Sequence, residues 1–250
     1  MTPPPAISVV MPVYNGGAWL ATALDSIQRQ ARPDLEIILI DDGSTDGSAQ
    51  LARRLAPDAH CFRQENRGCA AARNAGVARA RGDWIAFLDV DDTWPEGSLA
   101  ARVRALEANP TALFVLGRTR FVAAPAAAEP WVATNLGAGL YRRELFARVG
   151  PFNEACRLAD DVEWFMRIRE QGMPYVTLPD ETLHYRRDTG GLTAGRSWRD
   201  PELATVVRAS LARRRRADGR AQELRLLSGS RHDPRATGRV NSAPHDRAAH

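Results

Sequence analysis

The sequence lacks several features that would place it in particular protein classes. It contains no lysine, so its 34 basic residues are all arginine, and much of the excess positive charge lies after residue 200. Its three cysteines, Cys61, Cys69 and Cys156, form no CxxC pair, which fits a reducing cytoplasm and gives no indication of a zinc site. No apolar run reaches the roughly 20 residues that a membrane helix needs. The opening MTPPPAISVV has no basic start, so we expect no signal peptide and a soluble, cytoplasmic protein.

Two phosphate-binding fingerprints are also missing. The sequence has no GxxxxGKS motif, and no GxGxxG follows the first predicted strand. A protein without these loops can still hold a diphosphate through a divalent cation that carboxylates bind. Aspartates that cluster at the ends of strands are therefore candidate ligands for such a cation.

Short apolar runs alternate with helical patterns, and the alternation predicts the fold class. The runs are rich in β-branched residues, which is typical of strands covered on both faces. We predict strands over 7–13, 35–40, 60–64, 84–88, 112–117, 174–179 and 182–187. We predict helices over 16–31, 48–56, 68–82, 98–109, 142–150 and 160–172, the last with Val162, Phe165, Met166 and Arg169 on one face. The pattern indicates an α/β fold with a mostly parallel central sheet flanked by helices.

The chain divides into three predicted parts. Residues 1–199 form one α/β domain, and residues 200–216 form an amphipathic, Arg-rich helix. From residue 217 to residue 250 the sequence is polar and without periodicity, so we expect a disordered tail.

Polar residues follow three of the predicted strands. The loops are YNGG with Asn15, DDGSTDGS with Asp42, and DVDD with Asp89 and Asp91. Ligands of open parallel sheets bind outside the carboxyl ends of the strands, so these loops would surround one crevice. Each loop alone could be an ordinary turn, because Asp, Asn and Gly are common turn residues. For DVDD the alternatives are a Mg²⁺ or Mn²⁺ site, a solvated turn, or acids paired with Arg73 or another arginine.

Taken in order, several segments resemble the family 2 glycosyltransferases of the GT-A fold. They are ISVVMPVYNGG, IILIDDGSTDGS, ENRGCAAARNAG, GDWIAFLDVDD, YRRELFARVGPFNE and DDVEWFMRI, and they span roughly residues 7 to 195. The resemblance implies a Rossmann-like sandwich and a metal-dependent, inverting enzyme that uses a nucleotide sugar. It also implies Mn²⁺ or Mg²⁺ as cofactor and a UDP-sugar as the favoured donor.

Carried over by position, the resemblance implies a metal site on the DVDD segment. Asp91 would be the metal ligand, and Asp89 would meet the ribose or the metal. Asp92 is an additional acid whose role the resemblance leaves open. Where many relatives carry a histidine near the metal, this chain has Asp188, which could ligate a hard cation or be a turn residue.

The resemblance also implies a nucleotide site at the first two strand ends. Pro12 and Val13 would lie along the nucleotide through backbone contacts, and the Tyr14 ring would lie against the base. Asn15 follows them in the same loop, and Asp42 would hydrogen-bond the base.

Three further residues receive roles from the resemblance. Asp161 would be the catalytic base, and Asp160 occupies the position that usually holds a glutamate on the substrate side. Asp160 could instead stabilise the start of its helix, since acids are favourable in a first helical turn. Arg73 would approach the diphosphate, or it could be a helix-surface arginine.

Two other functions compete with this interpretation. A sugar-nucleotide nucleotidyltransferase would carry a basic, Gly-rich loop after the first strand, and MPVYNGGAW has no basic residue. A non-catalytic protein could use its arginines to bind an anionic surface, but the aromatic platform of single-strand nucleic-acid binders is missing. We therefore expect no nucleic-acid partner, a glycan, lipid-linked or small-molecule acceptor, and a possible peripheral membrane contact through the Arg-rich segment.

Overall fold

A computed structural model describes residues 6–122, 135–186 and 201–218 of the chain. Its strands are β1 (Ile7–Val13), β2 (Leu35–Asp41), β3 (His60–Arg63), β4 (Trp84–Phe87), β5 (Phe114–Val122), β6 (Gly139–Arg142) and β7 (Tyr175–Arg186). Its α-helices are α1 (Gly17–Gln28), α2 (Ser48–Leu55), α3 (Cys69–Val77), α4 (Ser98–Ala108), α5 (Arg143–Val149), α6 (Asp160–Glu170) and α7 (Pro201–Asp218). A short 3-10 helix, Leu136–Ala138, precedes β6.

The seven strands form one sheet in the order β3-β2-β1-β4-β6-β5-β7. The first four strands in this order are parallel to one another, and β7 is parallel to β5. β6 runs antiparallel to both of its neighbours, β4 and β5. The predicted α/β fold with a mostly parallel sheet and flanking helices is confirmed.

Alternation along β1 divides the core between the two faces of the sheet. Val9 and Met11 face the side that α1, α2 and α4 cover, whereas Val10 faces α3, α5 and α6. This period of two is the geometry of a strand covered on both faces. The carboxyl ends of β1, β2 and β4 therefore sit between two helical layers, at one edge of the sheet.

Small residues let α3 lie close to the sheet. A Cβ added at Gly76 would lie 2.3 Å from Cγ1 of Val10, so a larger residue would push the helix outward. Ala70 and Ala72 of the same helix are also buried against the sheet. The close approach brings Arg73 of α3 beneath the end of β4, where it is only 5% exposed.

Several elements differ from the sequence prediction. β6 was not predicted, and β7 is one strand of 12 residues where two were predicted. The face predicted for α6 is divided, because Phe165 packs under the sheet whereas Val162 and Met166 stay together on another side. Trp164 and Ile168 pack under the sheet, whereas Val162 and Met166 pack against α7.

The Arg-rich segment is docked on the domain. Leu203 and Val206 of α7 pack in a small apolar cluster on α6, and Arg213 contacts Glu170 at 2.6 Å. None of the described helices is both long and apolar enough to span a bilayer. The predicted disordered tail from residue 217 lies almost wholly outside the described residues. The predicted membrane contact stays a prediction.

Candidate active site

Hydrogen bonds join the loops that follow β1 and β2 into one unit. Asn15 adopts a left-handed conformation, with φ of 50°, which asparagine tolerates better than most residues. Its backbone N–H donates to Oγ of Ser44 at 3.0 Å, and its Oδ1 accepts from the N–H of Thr45 at 2.8 Å. The N–H of Gly17 donates to Oδ2 of Asp46 at 3.1 Å. YNGG and DDGSTDGS therefore form one rim of the crevice.

The loop after β4 packs directly against this rim. A Cβ added at Gly16 would lie 2.5 Å from Cγ1 of Val90, the central residue of DVD. Gly16 has φ of −102°, so its backbone would accept other residues, and glycine is required by space alone. The three predicted loops thus meet at one place, as their positions after parallel strands predicted.

The residues predicted to line the nucleotide differ in exposure. Pro12 and Val13 are buried within β1, so only their backbone could face a ligand. Tyr14, just beyond the strand end, exposes 49% of its surface. These positions agree with the predicted division between backbone contacts and an aromatic ring, while the ligand contacts themselves stay predictions.

Asp42 shapes the loop that leads into α3. Its Oδ1 accepts from the side chain of Gln64 at 2.8 Å and from the N–H of Arg67 at 2.9 Å. Its Oδ2 accepts from the N–H of Gly68 at 2.8 Å. Asp42 is only 4% exposed, and its hydrogen bonds hold residues 64–68 in place. Its predicted hydrogen bond to a base stays a prediction.

Arg73 joins two predicted site residues that are far apart in sequence. Its Nη1 donates to Oδ2 of Asp160 at 2.6 Å, and its Nη2 donates to both carboxylate oxygens of Asp89 at 2.9 Å. Asp160 is 3% exposed, so the Arg73–Asp160 pair is buried. The helix-surface alternative for Arg73 is therefore wrong. The pairing of Asp89 with Arg73, one of the alternatives that the sequence left open, is observed.

Asp92 has a structural contact that sequence reasoning missed. It is 1% exposed, and its Oδ1 accepts from the N–H of Arg186 at 2.9 Å, at the end of β7. Burial, followed by the charges of Asp89 and Asp91, raises the pKa of Asp92 well above its ordinary value. A residue 94 positions away supplies this contact, so no local pattern could have revealed it.

The end of β7 is also tied to the DVDD segment by main-chain pairing. The N–H of Thr93 donates to the carbonyl oxygen of His184 at 3.1 Å, and the N–H of His184 donates back at 2.9 Å. His184 is a strand residue, within the strand predicted over 182–187. Asp188, the predicted third metal ligand, lies outside the described residues.

Asp161 lies in the first turn of α6, next to Asp160. It keeps some exposed surface, and its Oδ1 accepts from the N–H of Val162 at 2.7 Å. Loss of surrounding water, followed by repulsion from Asp160, raises the pKa of Asp161 to about 7, even though Arg73 opposes the shift. A carboxylate with a pKa near neutrality suits a general base.

The sequence of this chain matches the model of a known protein family. The family model described as Glycosyl transferase family 2 matches residues 8–135, just over half of the chain. The chain belongs to glycosyl transferase family 2. The family and fold implied by the sequence resemblance are thereby confirmed.

Family 2 relatives and solved structures resemble this chain over different shares of their length. A PGL/p-HBAD biosynthesis glycosyltransferase of Mycobacterium bovis (strain BCG) is 34% identical over 179 residues, which cover 66% of this chain and 69% of the relative. TarS 1–349 of S. aureus, solved with UDP-GlcNAc, has a TM-score of 0.71 at 19% identity, over 86% of this chain and 68% of TarS. The mannosyltransferase PcManGT from Pyrobaculum calidifontis, solved with GDP-Man and Mn²⁺, has a TM-score of 0.66 at 29% identity. That match covers 88% of this chain and 67% of PcManGT.

Other family 2 relatives are much longer than the matched region. Four proteins from Bacillus subtilis and three Rickettsia species are 35 to 42% identical to this chain over 95 to 105 residues. The chain spans only 15 to 27% of their length.

The carboxylates of this family 2 site suit a hard divalent cation. The charges of Asp89 and Asp91 reach Asp92, whose buried Oδ2 has no hydrogen-bond partner among the residues that the structure describes. Within residues 6–122, 135–186 and 201–218, no group of three or more His, Cys, Asp or Glu side chains could hold a metal alone. Mg²⁺ is commonly bound by one or two carboxylates together with substrate phosphates. The donor set fits a cation that is shared with a diphosphate.

Proposed function

We propose that this chain is a metal-dependent, inverting glycosyltransferase that moves one sugar from a nucleotide-sugar donor to an acceptor hydroxyl. The observation that carries the proposal is the position of Asp161. Its carboxylate has a pKa of about 7 and lies beside Asp160, which Arg73 links to Asp89 at the end of β4. In this proposal, Arg73 links the helix start that carries the base to the strand end that would bind the diphosphate.

Nucleotide binding would use the joined loops after β1 and β2. The half-exposed Tyr14 offers a ring for stacking on a base, and the N–H of Asp42 donates to the carbonyl oxygen of Val13, directly before Tyr14. TarS was solved with UDP-GlcNAc and with UDP, and PcManGT was solved with GDP-Man. These ligands support a nucleotide-sugar donor, and we favour a UDP-sugar with a GDP-sugar as the alternative.

Asp91, with Asp89 beside it, would hold Mn²⁺ or Mg²⁺ in this scheme. When bound, the cation would neutralise negative charge on the diphosphate leaving group. Arg73 keeps the Asp89 carboxylate in a fixed orientation through two hydrogen bonds to one guanidinium nitrogen.

Asp161 would act as the base of a direct displacement. Its carboxylate would accept the proton of the acceptor hydroxyl while the hydroxyl oxygen bonds to the anomeric carbon of the sugar. The bond between that carbon and the diphosphate oxygen breaks, and its electron pair leaves with the nucleoside diphosphate. A single displacement inverts the anomeric configuration. The partly exposed position of Asp161 leaves access for an acceptor.

We propose a glycan, lipid-linked or small-molecule acceptor, within glycoconjugate or cell-surface polysaccharide synthesis. The Mycobacterium bovis relative is a PGL/p-HBAD biosynthesis glycosyltransferase. A biosynthetic glycosyltransferase among the relatives supports a biosynthetic role for this chain.

A thermal-shift panel tests donor and cation binding together. UDP-, GDP- and dTDP-sugars would be added with and without Mn²⁺, and one donor should raise the melting temperature only when Mn²⁺ is present. The Asp91→Asn variant should lose the Mn²⁺-dependent part of the shift, because it removes the proposed ligand charge. Asp83→Asn is the matched control, since Asp83 precedes β4 at the opposite end and its side chain is 91% exposed. If no nucleotide stabilises the wild-type protein with Mn²⁺ present, the proposal fails at donor binding.

A further inference from the structure

The helix that carries the acid pair begins without a capping side chain of its own. The residue before α6 is Ala159, which has no polar side chain, and the backbone there has φ of −115° and ψ of 27°. Helix starts are usually stabilised by Ser, Thr, Asp or Asn, whose oxygens accept otherwise unpaired N–H groups. The start of α6 must therefore be fixed from elsewhere.

A glutamate of α7 holds the two residues directly before this helix. Oε1 of Glu202 accepts from the N–H of Leu158 and from the N–H of Ala159, both at 2.9 Å. These are the two peptide groups directly ahead of Asp160 and Asp161. Hydrogen bonds to a charged acceptor are stronger than neutral ones, and two of them on one oxygen hold this short segment at a fixed position.

Further contacts hold Glu202 in place along α6. Val206 packs on Cys156 and Ala159 in the small apolar cluster, and Arg213 pairs with Glu170 near the end of α6. The same number of residues separates Glu202 from Arg213 as separates Ala159 from Glu170. α7 therefore lies parallel to α6, with Glu202 bonded at the start of α6 and Arg213 paired with Glu163 and Glu170 farther along it.

We propose that Glu202 is a positioning residue for the reaction: its contacts with Leu158 and Ala159 fix the start of α6 and hence the direction of the Asp161 carboxylate. This inference rests on the proposed function for its catalytic consequence. Small displacements of a catalytic group have large effects, since an error of about 1 Å can cost on the order of 100-fold in rate. The loops proposed to bind the donor follow β1, β2 and β4, and Arg73 still joins Asp160 to Asp89 when Glu202 is replaced, so donor affinity should change much less than kcat.

The test separates the contact with the helix start from general docking of α7. Release of nucleoside diphosphate from UDP-GlcNAc or GDP-mannose would be measured with Mn²⁺ in the wild type, Glu202→Ala, Glu202→Gln and Arg213→Ala. Glu202→Ala should lower kcat by about 10- to 100-fold with donor KM changed by less than about twofold. Glu202→Gln keeps an acceptor oxygen and should stay within about threefold of the wild-type kcat. Arg213→Ala loosens the other end of α7, so it should lower the melting temperature while leaving kcat near the wild-type value.

Amide hydrogen exchange tests the same contact without a donor. The Leu158 and Ala159 amides should exchange faster in Glu202→Ala than in the wild type or in Arg213→Ala. Unchanged exchange, an unchanged kcat in Glu202→Ala, or an equal loss of kcat in Arg213→Ala would each overturn the inference. Absence of turnover in the wild type would instead refute the proposed function and the catalytic part of this inference, and the exchange comparison would still decide the contact.

Discussion

Replacing Asp161 by asparagine should abolish transfer and, at neutral pH, make the folded protein more stable. The pKa of Asp161 is raised from its ordinary value of 3.8 to about 7. Each pKa unit corresponds to about 1.4 kcal/mol, so the ionised side chain costs the folded state at most about 4 kcal/mol above pH 7. Because Asp161 keeps some exposed surface, we expect a gain of about 2 to 3 kcal/mol in the free energy of unfolding.

The sign of the pH dependence follows from proton binding. The folded pKa lies above the unfolded one, so the folded state binds more protons between about pH 4 and pH 7. The stability contributed by this group is therefore lost as the pH rises through that window. An asparagine side chain does not titrate, so Asp161→Asn should match the wild type near pH 4 and exceed it increasingly up to about pH 7. The asparagine Oδ1 can still accept from the N–H of Val162.

Urea unfolding at about pH 4, 6 and 8, in EDTA and without donor, measures this difference. At about pH 8 the expected gain corresponds to roughly 4 to 12 °C in melting temperature for a chain of this size. Asp25→Asn is the control, because Asp25 lies in an exposed pair with Arg29 and should change stability by less than about 1 kcal/mol. Equal stability of Asp161→Asn and wild type at pH 8 would refute the raised pKa. Retained turnover in Asp161→Asn would remove it from the role of base.

Two further variants test the frame around the base. Arg73→Met leaves Asp160 buried at 3% exposure without its partner, and urea unfolding should show a loss of about 3 to 5 kcal/mol. Adding Asp160→Asn to that variant should recover part of the loss, and a cost below about 1 kcal/mol for Arg73→Met would contradict a buried pair. Gly16→Ala places a Cβ 2.5 Å from Val90 and should cost about 1 to 3 kcal/mol. Because the clash is with the Val90 side chain, Gly16→Ala combined with Val90→Ala should be more stable than additivity predicts, and simple additivity would count against the contact.

The strands and helices of the first half of the chain could be predicted because the local sequence pattern determines them. β1, β2 and β4 are short buried runs, and each is followed by a turn signal and a helical pattern. β6 could not be predicted, since GLYR has no strand pattern and exists as a strand through pairing with β4 and β5. Strand preference depends strongly on such neighbours. The two-sided burial of α6 likewise depends on α7, which lies more than 30 residues later in the chain.

The site residues that lie at strand ends could be predicted from the sequence. The contacts between residues that are far apart in the chain could not. The rule for open parallel sheets located Asn15, Asp42, Asp89 and Asp91 at one edge. It could not reveal that Arg73 takes Asp89 and Asp160 as its partners, because the chain brings together residues 16 and 87 positions apart. The sequence offered a surface arginine or a diphosphate contact, and the burial of Arg73 excludes the first.

Burial is the main cause of the raised pKa of Asp161, and the charges around the shared arginine add to it. Arg73 contacts Asp89 and Asp160 directly, and two carboxylates around one guanidinium leave the group with a net negative charge. Asp161 lies beside this group without a direct bond to Arg73 among the described contacts, so it experiences the repulsion of Asp160 and only weaker attraction from the arginine. The charges that hold the strand end and the helix start together thus add to the larger effect of burial on the proton affinity of Asp161. Any change that weakens the Arg73 contacts should therefore alter both the position and the pKa of Asp161.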